Sequence, residues 1–341
     1  MLLYNNSIKE NCPLVSVIVL TFNGISVVKD CVDAVLETNY VNLETIILDN
    51  ASTDGTFELL NHRYGTLPNV KLIRNSSNLG FAVGNNRAVQ FAKGEFIVFL
   101  NQDTKVHTEW LSPLVDEMLS HQELACCQSN LLSLDNPSLI DSAGDIVDKF
   151  GISVSRAHGL NQKICDLLDK EIFSARGAAM MIRKNLFVRI GMFDKDYGSV
   201  YEDIDLCWRT RLSGYSVRFV TSSIVYHKGS RVTPRTAYLS SKNWLFTVVK
   251  NYSSGMLVRI CFQLVAIAFS TVFFEIALRR NGIFVAMRLR AFLWCLRNLK
   301  LIWTKHQEVQ TRIRVIPDKR LLKSMSNKNL LFYAGLRSIV G

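Results

Sequence analysis

Two short acidic clusters in this 341-residue chain contain side chains that can do chemistry. One is Asn101–Asp103, which directly follows the apolar run Phe96–Leu100, and the other is Glu202–Asp205. Carboxylates hold hard divalent cations, and a carboxylate can also take a proton from a hydroxyl group. Each cluster alone has a simpler interpretation, because a polar turn often follows a strand and acids favour the first turn of a helix. The surrounding elements decide between these interpretations.

The apolar runs predict an α/β fold. Short runs at 15–20, 44–48, 70–73 and 95–100 predict buried strands, and helices at 27–36, 57–61 and 78–92 alternate with them. This order predicts a doubly wound, mostly parallel, Rossmann-like sheet with right-handed crossovers. Open sheets of this kind bind ligands outside the carboxyl ends of their strands. Polar residues follow all four strands and predict a nucleotide site there: Thr21 and Asn23, Asp49 and Asn50, Asn75 and Asn78, and Asn101 and Asp103.

Several function classes lack their signatures. No G-x-G-x-x-G follows the first strand and no G-x-x-x-x-G-K-[ST] occurs, which argues against a dinucleotide enzyme and a P-loop protein. The eight cysteines are scattered without a C-x-x-C pair, so they indicate a reducing cytosol rather than a zinc site or a disulfide framework. The polar stretch 1–12 does not read as a secretory signal.

The second half of the chain resumes the alternating pattern. Strands are predicted at 177–182 and 216–220, with a helix at 185–190. The second acidic cluster is predicted to begin a helix that ends before Gly214. His227 follows near the end of this pattern, and a lone histidine is more simply read as a structural residue.

The order of motifs resembles that of the family 2 inverting glycosyltransferases, which have a GT-A fold. The likeness covers about residues 14–232 and is greatest to the rhamnosyltransferase-like members that build bacterial surface polysaccharides. It depends on the order and spacing of these motifs: V-S-V-I-V-L-T-F-N, L-D-N-A-S-T-D-G-T, N-L-G-F-A-V-G-N-N, F-L-N-Q-D-T, G-A-A-M-M-I-R, G-M-F-D, Y-E-D-I-D-L-C-W-R and Y-H-K-G-S.

The resemblance implies a role for each matching position. Those implied in binding a nucleotide-sugar donor are Thr21, Asn23, Asp49, Asp54, Asn78, Gly80, Asn85, Asn101 and Asp103. Asp103 and His227 would hold Mg²⁺ or Mn²⁺ at the donor diphosphate. Asp203 would be the catalytic base with Glu202 beside it, and Asp205 and Trp208 would contact the acceptor. Asn101 stands where the family motif has its first acid, so a neutral amide replaces a charged ligand.

That chemistry is consistent with the residue types. A divalent cation can neutralise the charge that develops on a departing nucleoside diphosphate. One carboxylate base is enough to activate the incoming hydroxyl group. A single displacement of this kind inverts the anomeric centre.

The last quarter of the chain has a different composition. Residues 1–250 carry 25 basic and 26 acidic side chains, whereas residues 251–341 carry 15 basic and 3 acidic ones, which predicts an anionic partner. Residues 260–274 are uncharged but shorter than the roughly 20 residues that span a bilayer. Residues 283–303 mix aromatic and basic side chains at helical spacing, as interfacial helices do.

We therefore expect residues 255–303 to contact an anionic membrane surface. The alternatives are helices for packing or oligomerisation, and a transmembrane segment. Nucleic acid is not an expected partner, because this region is too apolar for a solvated phosphate-binding arm.

The sequence predicts three parts: an extension at 1–13, a GT-A domain at 14–235 and a basic helical region at 236–341. The expected function is sugar transfer to a lipid-linked or oligosaccharide acceptor by a peripheral protein on the cytoplasmic face of the cell membrane. A nucleotidyltransferase is the nearest alternative enzyme, although the turn after the first strand lacks the basic glycine-rich loop that it needs. The alternative from another class is a catalytically silent scaffold that binds nucleotide sugars.

Overall fold

The computed structural model describes residues 12–229, 232–328 and 330, apart from the side chains of Leu278 and Arg279. Almost all of the predicted extension at 1–13 lies outside these residues, as does the end of the predicted helical region. The described chain forms a mixed sheet flanked by helices, followed by a set of helices.

The first half of the sheet is parallel, as predicted. Its strands have the spatial order β3-β2-β1-β4. β1 and β4 are buried along almost their whole length, because helices cover both faces of the sheet. The strands are β1 (Val15–Thr21), β2 (Leu43–Asp49), β3 (Val70–Arg74) and β4 (Phe96–Asn101), and the helices between them are α1 (Val28–Leu36), α2 (Thr56–Tyr64) and α3 (Gly80–Val89).

The second half of the sheet is mixed. Its elements are β5 (Thr104–Val106), α4 (Leu111–Ser120), β6 (Leu124–Ser133), β7 (Ile140–Ser142), β8 (Asp145–Val147), β9 (Ser153–Ser155), β10 (Ala179–Arg183), α5 (Lys184–Arg189), α6 (Glu202–Leu212) and β11 (Ser216–His227). The order continues from β4 through β10, β6 and β11 to β5, and β10 runs antiparallel to both of its neighbours. The reversed direction of β10 brings the residues just before it to the carboxyl end of β4.

The sequence patterns did not predict β5 to β9. β6 is buried except at its last residue, yet its centre carries Gln128, Ser129 and Asn130. Polar side chains inside a buried strand interrupt the apolar run on which the prediction depended. These groups have partners in the fold: the Gln128 amide oxygen, for example, accepts a hydrogen bond from the Arg176 backbone (2.7 Å).

The remaining helices are α7 (Pro234–Asn251), α8 (Ser254–Phe274), α9 (Gly282–Arg297), α10 (Leu299–Glu308) and α11 (Asp318–Leu321). A capping box between Thr233 and Thr236, with Pro234 at the first helical position, starts α7. α7 packs against α6, and directly after α7 the ring of Tyr252 meets that of Trp208 edge to face at 4.9 Å. By length and composition, the segment Ser254–Ala277 could cross a membrane, and only 17% of its most apolar stretch is buried.

Candidate active site

The loops after β1 and β4 are joined at the carboxyl edge of the sheet. The buried hydroxyl group of Thr21 and the backbone N–H of Phe22 (3.0 Å) both donate to the side-chain oxygen of Gln102. Gln102 donates in return to the Phe22 carbonyl oxygen at 3.2 Å. The sequence patterns gave no role to Gln102, which here fixes the start of the predicted donor pocket.

The loops after β1 and β2 are joined in the same way. The Asn23 N–H donates to the Ser52 hydroxyl group (2.8 Å), and the Asn23 side-chain oxygen accepts from the Thr53 N–H (2.9 Å). Asn23 has a left-handed backbone with φ of 47°, which asparagine tolerates better than most residues. Its exposed side chain therefore lies between the two loops, on the predicted donor side.

Asp49 ends β2 and is fully buried. One carboxylate oxygen accepts from the Ser52 N–H (3.1 Å) and lies 3.5 Å from the Arg74 guanidinium group. The other is buried without a hydrogen-bond partner among the described residues. An unpaired buried hydrogen-bond acceptor is costly. This oxygen is therefore the atom of Asp49 that is suited to accept a hydrogen bond from a nucleotide base.

Asp54 has a structural role that the sequence comparison did not foresee. Its carboxylate accepts from the N–H groups of Thr56 and Ile25 (both 3.1 Å), which starts α2 and fixes the β1 loop. Burial alone would raise the pKa of Asp54, but these hydrogen bonds outweigh it and lower the pKa. The carboxylate is thus engaged within the fold, and its expected contact with the nucleotide-sugar donor stays a prediction.

An amide network joins the loops after β2 and β3. The side chain of Asn50 donates to the Asn78 side-chain oxygen (2.9 Å) and accepts from Asn75 (2.9 Å) and from the Leu79 N–H (3.0 Å). Asn78 also accepts from the Gly80 N–H at 2.9 Å. Asn78 therefore shapes this edge of the pocket, and Asn50 is the buried residue that holds it.

The start of α3 needs a glycine. Gly80 has φ of 75°, and a Cβ at this position would lie only 3.3 Å from the Gly198 carbonyl oxygen. Asn85, five residues later, is buried and donates to the Phe81 carbonyl oxygen of its own helix (3.0 Å). The expectation that Asn85 lines the donor pocket is therefore corrected.

Asn101, Asp103 and His227 converge at the ends of β4 and β11. His227 pairs with Thr104 across the β5–β11 ladder, which places its ring beside Asp103. The imidazole Nε2 lies 3.6 Å from Asp103 Oδ1 and 3.5 Å from Asn101 Nδ2, while Nδ1 lies 2.9 Å from Asp141 Oδ2. Burial opposes the charged form of the imidazole, but the Asp103 and Asp141 carboxylates outweigh it and raise the pKa of His227 to about 9.

These residues fit a cation that is shared with a ligand. Nδ1 of His227 is oriented by a carboxylate, as in many metal-binding histidines, and Nε2 faces Asp103 at a distance longer than a good hydrogen bond. No group of three or more His, Cys, Asp or Glu side chains within the described ranges is placed to hold a metal. Oxygen atoms of a diphosphate and of water would complete the coordination of Mg²⁺ or Mn²⁺.

The second acidic cluster follows a strained turn. Val200 and Tyr201 precede α6 with φ of 68° and 73°, a conformation that a β-branched residue rarely adopts. The Asn243 side chain of α7 holds this turn by donating to the carbonyl oxygens of Tyr197 (3.1 Å), Ser199 (3.0 Å) and Val200 (2.6 Å). The sequence patterns missed Asn243, because no local signal links it to a loop more than forty residues earlier.

Asp203 is the acid of this cluster with partly exposed surface. Its carboxylate accepts from the N–H groups of Gly177 (3.1 Å) and Ile204 (2.8 Å). Burial and the nearby Asp145 charge raise its pKa to about 6, although the Gly177 N–H and the Arg176 cation act in the opposite direction. A carboxylate with this pKa can accept a proton near neutral pH.

Glu202 is less suited to that task. It is buried, and its Oε2 atom has no hydrogen-bond partner among the residues that the structure describes. Burial and the charge of Asp203 raise the pKa of Glu202 well above its usual range. Of the two predicted catalytic acids, the structure favours Asp203 as the base.

Arg176 connects the two halves of the site. Its Nε atom lies 3.1 Å from Asp145 Oδ1 and its Nη1 atom lies 4.0 Å from Asp141 Oδ2. Asp141 orients His227, and the residue after Arg176 donates to Asp203. A continuous set of contacts therefore runs from His227 to Asp203. The sequence patterns identified neither Arg176 nor Asp141.

Asp205 and Trp208 lie away from this edge. Asp205 is fully buried and accepts from Arg209 (2.7 Å), Lys250 (2.9 Å) and Asn251 (3.0 Å). Burial would raise its pKa, but the two cations outweigh that and lower it. Trp208 is also fully buried, packed between Phe173 and Tyr252. The prediction that these two residues contact an acceptor is wrong, because neither exposes surface.

Known proteins resemble this chain in sequence and in fold. Residues 16–191 match the family model "Glycosyl transferase family 2". The chain is 36% identical over 114 residues to chondroitin synthase of Pasteurella multocida. This match covers 33% of this chain and 12% of that protein. The chain spans a quarter or less of the length of the first curated relatives that it matches.

Two solved structures resemble the fold. The crystal structure of GalNAc-T7 with UDP, GalNAc and Mn²⁺ superposes with a TM-score of 0.59 at 19% identity, over 72% of this chain and 49% of that one. Mannosyltransferase PcManGT from Pyrobaculum calidifontis in complex with GDP-Man and Mn²⁺ gives 0.53 at 15% identity, over 99% and 94%. These likenesses confirm the predicted GT-A type of fold, with its mixed sheet and its helical C-terminal region.

Proposed function

Because this chain belongs to glycosyl transferase family 2, we propose that it is an inverting enzyme that moves a sugar from a nucleotide diphosphate to a glycan hydroxyl group. The observation that carries the proposal is the set of contacts from His227 through Asp141 and Arg176 to the loop that binds Asp203. These contacts support the proposal, because they join a candidate cation site to a candidate base, and a single displacement needs both.

Each half of the site has a task in this proposal. Asp103 and His227 would hold Mg²⁺ or Mn²⁺ with the side chain of Asn101 beside them, and the bound cation would neutralise charge on the donor diphosphate. The unpaired oxygen of Asp49 is the proposed acceptor for the nucleotide base. Asp203 takes the proton from the acceptor hydroxyl group as that group attacks the anomeric carbon.

The test is release of nucleoside diphosphate from a panel of nucleotide sugars with Mn²⁺ and an oligosaccharide acceptor. The resemblance to rhamnosyltransferase-like members supports rhamnose donors as the first to try. We expect turnover with one donor, loss of turnover in Asp103→Ala and reduced turnover in Asn101→Ala. Full Mn²⁺-dependent turnover in Asp103→Ala would refute the cation site. Donor binding without any turnover, with every acceptor tried, would support a silent scaffold instead.

We also propose that the protein lies on the cytoplasmic face of a membrane and uses a lipid-linked acceptor. α8 supports this, because it has two apolar sides. Ile260, Leu264 and Ile267 pack inward, whereas Phe262 and Phe269 are 83% and 72% exposed on the other side. A helix that is packed on one side and apolar on the other suits the plane of a bilayer interface.

Charge in this region supports the same proposal. Glu275 lies at the end of the apolar segment, is fully buried and pairs with Arg288 at 2.7 Å. The acid therefore places no exposed negative charge on this surface. The excess of basic residues after position 250 complements anionic lipids, to which each basic residue near the surface contributes about 1 kcal/mol.

Sedimentation of the full chain with anionic liposomes tests the membrane proposal. We expect wild type to co-sediment and Phe262→Ser/Phe269→Ser to remain largely in solution. Leu167→Ser is the matched control, because Leu167 is 84% exposed in a different part of the protein. Equal sedimentation of the double variant and the control would contradict an interface on α8.

A further inference from the structure

A cavity of about 530 Å³ lies between α7 and α9, outside the site described above. Arg235 and Tyr238 of α7 line one wall, and Arg290, Trp294 and Arg297 of α9 line the other. The α9 residues recur at intervals of three or four, so a single helix face provides that wall. The cavity thus combines three cationic side chains with two aromatic rings.

The three arginines have no protein partner within the part of the chain that the structure describes: none of Arg235, Arg290 and Arg297 makes an ion pair or a hydrogen bond there. Arg288, on the same helix, differs because it binds both Glu275 (2.7 Å) and the Ser241 hydroxyl group (2.9 Å). Among the residues that the structure describes, no acidic side chain lines the cavity. Guanidinium groups gathered in this way are suited to the oxygen atoms of a phosphate group.

Arg235 also has no evident role in its own helix. It lies in the first turn of α7, where the helix dipole disfavours a positive charge and no acid is present to balance it. Helix stability therefore does not account for a cation at this position.

Apolar side chains continue outward from the cavity. Leu293 lines it, and Leu289, Leu293 and Leu296 are all exposed on α9. A ligand with an anionic head and an apolar chain would bind both surfaces, whereas a free anion would use only the arginines. The arrangement therefore favours an amphiphile over a soluble phosphate.

The cavity is also connected to the candidate base. The Lys242 ammonium group lies 4.7 Å from the centre of the Trp294 ring, and the next residue, Asn243, holds the turn before Asp203. A ligand in the cavity would thus lie on the helix that positions the base. This location suits an acceptor substrate better than a bulk membrane lipid.

We propose that this cavity between α7 and α9, the α7–α9 groove, binds the diphosphate of a lipid-linked acceptor. The lipid chain would lie over Leu289, Leu293 and Leu296. This inference rests on the proposed function, which includes a lipid-linked acceptor. The arginines bind the diphosphate oxygens, and the leucines cover the first part of the hydrocarbon chain.

Calorimetric titration of the full chain with farnesyl diphosphate tests the groove directly. We expect Arg290→Ala and Arg297→Ala each to raise Kd about tenfold, because each removes charge-assisted hydrogen bonds. Lys300→Ala is the matched control, since it removes an exposed positive charge near Arg297 without lining the cavity. We expect it to change Kd by less than about twofold.

Two further titrations identify the ligand chemistry. Farnesol lacks the diphosphate and inorganic diphosphate lacks the chain, so both should bind at least about tenfold more weakly than farnesyl diphosphate. If inorganic diphosphate binds as tightly, the groove is a site for a soluble anion and the inference is wrong. It is also wrong if Lys300→Ala weakens binding as much as Arg297→Ala, because binding would then reflect the general charge of the region.

A bulk phospholipid is a separate outcome. Two kinds of phosphatidylcholine vesicle are compared, one with added farnesyl diphosphate and one with phosphatidylglycerol added to give the same total charge. The vesicles with farnesyl diphosphate should recruit wild type more strongly. Equal recruitment would overturn the inference. Unchanged melting temperatures would show that the variants are folded, and Arg290→Lys should recover only part of the affinity because lysine lacks the planar fork.

These titrations need no sugar donor, so the two proposals fail in different ways. Arginine-dependent binding without sugar transfer would sustain the groove and refute the proposed function. Sugar transfer to a lipid-linked acceptor at an unchanged KM in Arg290→Ala/Arg297→Ala would sustain the function and refute the groove.

Discussion

The sharpest prediction concerns Asp203. The substitution Asp203→Asn keeps the shape of the side chain and an oxygen that can accept from the Gly177 N–H, but it removes the basic carboxylate. General bases of this kind contribute about 10²–10⁴ to a rate. We therefore expect kcat to fall by that factor, while KM for the nucleotide sugar changes little because the donor-side residues remain intact.

The pH dependence follows from the surroundings of the same side chain. Burial and Asp145 raise the pKa of Asp203 to about 6, against the influence of Gly177 and Arg176. The base must be ionised to act, so kcat/KM should fall as the pH decreases through about 6, with a slope of one proton. One pH unit below that value the rate should be about tenfold lower. An aspartate with an ordinary pKa would still be ionised there.

The thermal stability of Asp203→Asn should rise at neutral pH, although its activity falls. Because the folded protein raises the pKa of Asp203, ionising this group at neutral pH costs folding free energy. Asp203→Asn should therefore melt at a higher temperature than wild type at pH 7, and the difference should disappear below about pH 4. An active site that lowers stability in return for reactivity behaves in this way.

Steady-state kinetics between about pH 5 and 8, with melting curves from about pH 3 to 8, would measure both effects. Glu202→Gln is the matched control, since Glu202 is the neighbouring acid, is buried and is not the proposed base. The acidic limb of the pH–rate profile of Glu202→Gln should have the same midpoint as that of wild type. A wild-type rate in Asp203→Asn, or a pH profile without an acidic limb, would refute the assignment of the base.

Two structural predictions follow. Asp205→Asn leaves the buried cations Arg209 and Lys250 without their shared carboxylate, so urea titration should show a loss of about 3–5 kcal/mol. A loss below about 1 kcal/mol would contradict that network. Asn243→Ala removes three hydrogen bonds from the strained turn at Val200, so it should cost about 1–3 kcal/mol and lower kcat more than it raises the donor KM. An unchanged kcat would mean that the turn does not position Asp203.

The parallel half of the sheet could be predicted from sequence because its central strands are buried on both faces. β1, β2 and β4 contain short, mostly apolar runs that are bounded by turns. β6 is equally buried, but its central polar side chains hold other parts of the fold, as Gln128 does for Arg176. Such a strand is specified by its partners elsewhere in the chain, and periodicity carries no information about them.

The same distinction separates the site residues that were predicted from those that were missed. Asp103, His227 and Asp203 stand in motifs whose order and spacing could be recognised. Asp141 orients His227, which lies 86 residues later, and no local sequence pattern indicates that contact. Residues that orient a reactive group are identified in the folded structure, because their role depends on contacts with residues that are distant in the sequence.

The wrong assignments of Asp205 and Trp208 have a geometric cause that the sequence already contained. Successive residues of an α-helix are rotated by about 100°, so Asp203 and Asp205 point about 200° apart. Trp208 is about 60° from Asp205 and therefore lies on the same, inward side. Once Asp203 faces the site, the other two must face α7, where Lys250 and Tyr252 meet them. The cluster Glu202–Asp205 thus combines a reactive acid with a structural one, and substitutions at its two aspartates should separate loss of rate from loss of stability.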